Sequence, residues 1–138
     1  MCAGYSKLQV SSDTLMRIHA NGPGIISDTA FDLEIRTKLA RVTYQFPDDI
    51  ADGIRMVSPL EIWNEIAKHL GATAVTAKTE AGALKGELTQ IVNRRNKIVH
   101  EGDLQPGIPR VPWPIKREDV DHVKATIERI IDGIEAKI

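Results

Sequence analysis

Cysteine occurs once, at Cys2, so the chain cannot form an internal disulfide and fits a reducing compartment. Cys2 lies near the terminus and makes a poor candidate nucleophile. Long apolar runs are missing as well. None nears the roughly 18 residues of a membrane-spanning helix, and Met1 to Val10 lacks the apolar stretch of a secretory signal. Nor is there an excess of either charge. Eighteen Lys and Arg against 19 Asp and Glu leave a formal net charge of -1. The surface as a whole therefore does not advertise nucleic-acid binding, and any such site must be a local concentration of basic residues. Period-two alternation is absent, as are internal repeats. Gly22-Pro23-Gly24 lacks the strand and helix context of a phosphate-binding loop. His19, His69 and His122 have no ligand spacing, so we expect no metal, and nothing calls for a cofactor. These absences describe a soluble, cytoplasmic protein with no membrane partner.

What is present is ordinary globular composition, 42% hydrophobic and 27% charged over 138 residues, enough for one domain with a real core. Its punctuation marks out helices. Ser12-Asp13-Thr14 can cap a short helix through Leu15, Met16 and Ile18, which Asn21-Gly22-Pro23-Gly24 ends. Asp28 is the expected N-cap of a helix whose Phe31, Ile35, Leu39 and Val42 keep an i, i+4 rhythm. Pro47 closes that element and opens a short helix through Ile50, Ile54 and Met56. Ser58-Pro59-Leu60-Glu61 reads as a capping box before Ile62, Ile66 and Leu70, with a stop at Gly71. Residues 72–78 read as loop. Two longer helices follow, one over Glu80 to His100 and one from Lys116 through Val120, Val123, Ile127, Ile130, Ile131 and Ile134. The fold class is all-α, a single helical bundle over 1–138, with 1–27 a truncated or irregular N-terminal part. Leu84, Leu88, Ile91, Val123, Ile127 and Ile130 are its expected shared core.

Between the long helices, Pro106 and the run Gly107 to Ile115 hold four prolines, which forbid a helix and favour a stiff extended crossing. Its Trp113 either covers the core or forms one wall of a cleft, free for base stacking.

The richest stretch is Arg94-Arg95-Asn96-Lys97-Ile98-Val99-His100-Glu101-Gly102-Asp103. Arg95 comes eleven residues after Leu84, which at about 100° per residue returns it to the apolar stripe of Leu84, Leu88 and Ile91. A guanidinium where the pattern calls for a core side chain must be paired or face a cleft. His100, of the residue type best suited to proton transfer near neutral pH, precedes the helix-stopping Gly102. A planar phosphate fork beside such a ring points to chemistry on a phosphodiester. In a continuous helix Arg95 and His100 are about 140° apart, whereas Asn96 and His100 share a flank. Convergence therefore calls for a helix end near His100 or a second copy across a two-fold axis.

Arg95-Asn96-x3-His100 resembles the signature of the HEPN superfamily. The resemblance extends over His100-Glu101-Gly102-Asp103, Trp113-Pro114-Ile115 and Arg117-Glu118-Asp119-Val120, a closing pattern similar to the RiboL-PSP type. It implies a bundle of four or five helices and, in active members, a metal-independent endoribonuclease that works as a homodimer. On that basis Arg95, Asn96 and His100 are the expected catalytic residues, with Arg94 and Lys97 binding RNA. The expected reaction is attack of a 2′-hydroxyl on the adjacent phosphate to give a 2′,3′-cyclic phosphate. The expected role is a toxin-like or antiviral effector, with an antitoxin or another regulatory partner. The alternative is a non-catalytic helical module for dimerisation or for binding a nucleotide or RNA.

Overall fold

The computed structural model describes residues 10–40 and 43–138. Six helices follow in order: α1 (Ser12–Asn21), α2 (Ile25–Leu39), α3 (Pro47–Ile54), α4 (Ile62–His69), α5 (Ala77–Glu101) and α6 (Arg117–Glu135). Among the described residues no strand forms, only an isolated antiparallel bridge between Leu104 and Pro112. The chain is all-α. No helix among these residues is long and apolar enough to cross a membrane.

The core is built around α4, which packs against α3, α5 and α6. Ile62 and Ile66 are its most deeply buried large side chains. Trp63 lies beside them and donates its indole N–H to the Pro47 carbonyl at 2.9 Å, so the ring is buried with its polar atom satisfied. Ala81, Leu84, Leu88 and Val92 of α5 and Ile130 of α6 complete the cluster. Gly133 brings α6 onto α4: a Cβ there would stand 2.7 Å from Ile66 Cγ2, inside any van der Waals contact. Polar ties hold the periphery. Glu87 of α5 accepts from Arg129 at 3.1 Å and faces His122 Nε2 at 3.0 Å, both on α6. Lys85 reaches Asp48 of α3 at 2.8 Å.

Helices α1 and α2 pack on each other and, among the described residues, on no other helix. Glu34 of α2 is their clasp, accepting from the Thr14 hydroxyl at 3.1 Å and from the Ser11 backbone N–H at 3.2 Å. Burial alone would raise the Glu34 pKa. The hydrogen bonds from Thr14 and Ser11, together with Lys38, outweigh it and hold the carboxyl below its ordinary value.

The helix boundaries differ from expectation where a neighbouring group takes over the cap. Ser11, one residue before the expected Ser12, caps α1 through Thr14 N at 3.3 Å. Residues 12–21, within the stretch expected to be irregular, are regular helix. Helix α2 starts at Ile25, so Asp28 lies in its first turn, where it favours the dipole, and Gly24 takes the cap position. Val42 lies outside the described residues. Ser58 accepts from Leu60 N at 3.4 Å, a local turn, and Glu61 pairs with Arg55, so the expected capping box does not form and α4 starts at Ile62. Helix α5 begins at Ala77 rather than Glu80, because Thr73 and Thr76 exchange backbone-to-hydroxyl hydrogen bonds at 3.0 and 3.2 Å and start the coil early.

Of the six expected core residues, Leu84, Leu88 and Ile130 are buried and Ile91 and Val123 partly so. Ile127 is 38% exposed. Its stripe on α6 reads correctly as apolar, but among the described residues no element fully covers that part of it.

Candidate nucleic-acid interface at the end of α5

Helix α5 divides its side chains between two surfaces. On the first, Leu88, Ile91, Val92 and Arg95 meet Ile127, Ile130, Ile131 and Ile134 of α6 along an open groove of about 610 Å³, with Tyr44, Gln45 and Ile50 at its edge. Arg95 therefore does continue the apolar stripe, and it faces a cleft. Its guanidinium is exposed and donates to Asn96 Oδ1 at 3.0 Å. That bond carries the Arg95 head around the helix toward the flank of Asn96.

His100 occupies the same flank, one turn beyond Asn96, and is exposed. Its side chain makes no hydrogen bond or ion pair among the described residues. The structure thus brings Arg95 and Asn96 into contact and places His100 on the neighbouring turn, without joining the three. Helix α5 ends one residue past His100, at Glu101.

Its termination is sharp. Gly102 and Asp103 both adopt left-handed backbone, φ 69° and 50°, and both donate their N–H to the Lys97 carbonyl. Glycine suits the first position because it lacks a Cβ. Asp103 is held there by Arg94, whose guanidinium lies 3.3 Å from Asp103 Oδ2, 3.9 Å from Asp119 Oδ2 at the start of α6, and 3.2 Å from the Pro114 carbonyl. Arg94 is a junction between α5, the loop and α6. Asp119 caps the start of α6, accepting from Lys116 N at 3.0 Å, as expected of an acidic residue at a helix start, whereas the role of Asp103 is not among the expectations. The positive φ and burial of Asp103 leave no periodic trace, but an acidic residue directly after a helix-stopping glycine was a readable signal.

Lys97 differs from Arg94. Its ammonium has no ion-pair partner among the described residues, and its side chain joins Gln90, Asn93, Arg94, Asp103 and Trp113 around a shallow depression of about 320 Å³. This is the second surface of α5.

The proline-rich segment is not the extended crossing that its four prolines suggest. It doubles back as an irregular hairpin, with Gln105 N donating to the Val111 carbonyl and Trp113 N to the Asp103 carbonyl, each at 2.8 Å. Leu104 and Pro112 form the bridge between its arms. Proline tolerates this because only the non-proline residues Gln105 and Trp113 supply the donors. Trp113 does not cover the core: it is 50% exposed and forms the wall of the depression beside Lys97.

Two other histidines stand apart on exposed ends, His19 on α1 and His69 on α4. His122 on α6 faces Glu87. Among the described residues no three His, Cys, Asp or Glu side chains gather as a cation site would require. Cys2 lies outside the described residues.

Compared with protein-family models, curated proteins and solved structures, the chain matches none.

Proposed function

We propose that this protein is a metal-independent endoribonuclease of the HEPN type that acts as a symmetric homodimer. The observation that carries the reading is the Arg95–Asn96 hydrogen bond at the mouth of an open groove, with His100 exposed on the adjoining turn. A charged fork with free donors and an imidazole open to solvent are what phosphodiester chemistry requires, and a helix end alone requires neither.

The reaction is transesterification within RNA. The 2′-hydroxyl loses its proton and attacks the adjacent phosphorus. The bond from phosphorus to the 5′-oxygen breaks, and that oxygen takes up a proton. The products are a 2′,3′-cyclic phosphate and a free 5′-hydroxyl, so atoms and charge balance without a water molecule or a metal. His100 serves the proton transfers, since an imidazole both accepts and donates a proton. Arg95 holds the phosphate and stabilises the charge that builds on its oxygens. Asn96 orients Arg95 and borders the phosphate. Lys97 and the outward side of Arg94 add binding.

The groove supports the dimer. Ile127 and Ile131 are exposed on the same face as Arg95, and burying such an apolar face against its two-fold mate brings two copies of Arg95, Asn96 and His100 toward one cleft. A toxin-like or antiviral effector held in check by an antitoxin is the biological setting that suits such an enzyme.

The direct test is incubation of the purified protein with labelled RNA, with and without EDTA. Cleavage in both, with cyclic phosphate on the 5′ products, is expected. A dimer that leaves single-stranded and structured RNAs intact overturns the nuclease in favour of a helical dimerisation or RNA-binding module.

A further inference from the structure

Beside the Arg95–His100 motif, α5 carries a second constellation with the parts of a nucleotide-binding subsite. Gln90, Asn93, Arg94 and Lys97 fall within an arc of about 100° on the helix, so their polar ends share one face. Across that face stands Trp113. The backbone that presents Trp113 is pinned at two points: Trp113 N donates to the Asp103 carbonyl, and the carbonyl of the following residue, Pro114, accepts from Arg94. Half of the Trp113 surface remains open, and its indole N–H meets no acceptor among the described residues. Trp63 is the opposite case, buried and hydrogen-bonded. An aromatic ring half in water on a pinned backbone is a stacking platform, with part of its ordering cost already met by the fold.

The charges around the ring are unequal in availability. Arg94 is occupied by Asp103, Asp119 and the Pro114 carbonyl, whereas Lys97 has no ion-pair partner among the described residues. Lys97 is thus the free cation of the depression. Gln90 and Asn93 add exposed side-chain amides that can both donate and accept. One flat apolar surface, one free cation and two amides match a single unpaired nucleotide: base on the indole, phosphate on the ammonium, base edge on the amides. A paired base offers no free face to the ring. Lys97 lies three residues before His100, about 4.5 Å along the axis, so a strand seated here runs directly onto the flank of Asn96 and His100.

We propose that Trp113, Lys97, Gln90 and Asn93 form a subsite for one unpaired nucleotide of single-stranded RNA, next to the cleavage site. The assignment rests on the nuclease reading for the purpose of the subsite, and on the Trp113–Lys97 geometry for its existence.

Binding is measured apart from cleavage by titrating the full chain with a 2′-O-methyl oligonucleotide, which has no free hydroxyl to attack the phosphate, while following tryptophan fluorescence. The expected result is quenching of the Trp113 emission, with the buried Trp63 unchanged. Trp113→Ala should weaken binding about tenfold or more and Trp113→Phe should retain most of it. Lys97→Ala should lower the salt dependence by about one ion. A duplex of the same sequence should not quench. Circular dichroism confirms that each variant is folded. Unchanged emission, equal quenching by duplex and single strand, or unaltered affinity in folded Trp113→Ala overturns the subsite. Cleavage of unmodified RNA without any quenching by the methylated strand removes the subsite and leaves the nuclease standing. Quenching that Trp113→Ala abolishes, with no cleavage of unmodified RNA, keeps the subsite and removes the nuclease.

Discussion

Arg94 and Asp103 meet at 3.3 Å across the turn that ends α5, the first half-exposed and the second with a side chain only 8% exposed. Nine residues apart in sequence, they close the helix end upon itself, and Asp119 and Pro114 extend the closure to α6. The pair fixes the end of the helix that carries Asn96 and His100. Removing the cation leaves a buried carboxylate with no partner, because Asp103 Oδ2 has no hydrogen bond of its own.

Arg94→Ala should therefore destabilise the fold by about 1–3 kcal/mol, the cost of an unsatisfied buried polar group. Arg94→Ala with Asp103→Asn should recover part of the loss, since the amide carries no charge. Thermal unfolding of the two variants checks this. Equal melting temperatures for wild type and Arg94→Ala would dismiss the junction.

For the chemistry, His100→Ala and Arg95→Ala should each lower RNA cleavage by about 100-fold or more. Arg95→Lys should not restore it, because an ammonium cannot reproduce the planar fork that contacts Asn96. DNA should survive, having no 2′-hydroxyl. Gel assays at matched protein concentration read all four outcomes.

For assembly, Ile131→Glu should give a folded monomer, since the side chain is already 47% exposed in one protomer and its charge stays in water there. Across a two-fold seam the same charge would be buried against apolar neighbours. Light scattering decides. A wild-type monomer at micromolar concentration counts against the dimer.

At the α4–α6 crossing, Gly133→Ala should destabilise by about 1–3 kcal/mol, because its Cβ would stand 2.7 Å from Cγ2 of the buried Ile66, which cannot give way without moving the helices apart. Gly82→Ala, where a Cβ meets open space, should be neutral or stabilising. Chemical denaturation compares them.

Acid should loosen the α1–α2 pair. The folded-state pKa of Glu34 is below its ordinary value of 4.5, so its contribution is present above that value and is lost as pH falls through the lower, folded one. Hydrogen exchange of the α1 and α2 amides should rise over that window, and Glu34→Gln should remove the pH-dependent part. A profile identical in Glu34→Gln refutes the assignment.

The two longest helices and their apolar stripes are legible because a 3.6-residue rhythm sustained over several turns has no other solution. Arg95 stands out for the same reason: it interrupts a pattern. Helix starts were harder, since Thr73 and Thr76 cap each other through backbone geometry and Ser58 spends its hydroxyl on a local turn. The hairpin of the proline-rich loop depends on the pairing of Gln105 with Val111 and of Trp113 with Asp103, which periodicity does not encode. The exposure of Ile127 is likewise illegible, because a sequence shows that a side chain is apolar and not whether its own chain supplies the cover.

The isolation of α1 and α2 from the other helices bears on how the molecule comes apart. Cooperativity spreads only through shared contacts, and between these two groups of helices the described residues share none. Heating should then trace two overlapping transitions, a shallow early one for the pair clasped by Glu34 and a steeper one for the α3–α6 core, and a single melting temperature would describe neither. A protease acting at the exposed Thr43 and Tyr44 should release a fragment that keeps the α5 end, with the Arg94–Asp103 closure intact.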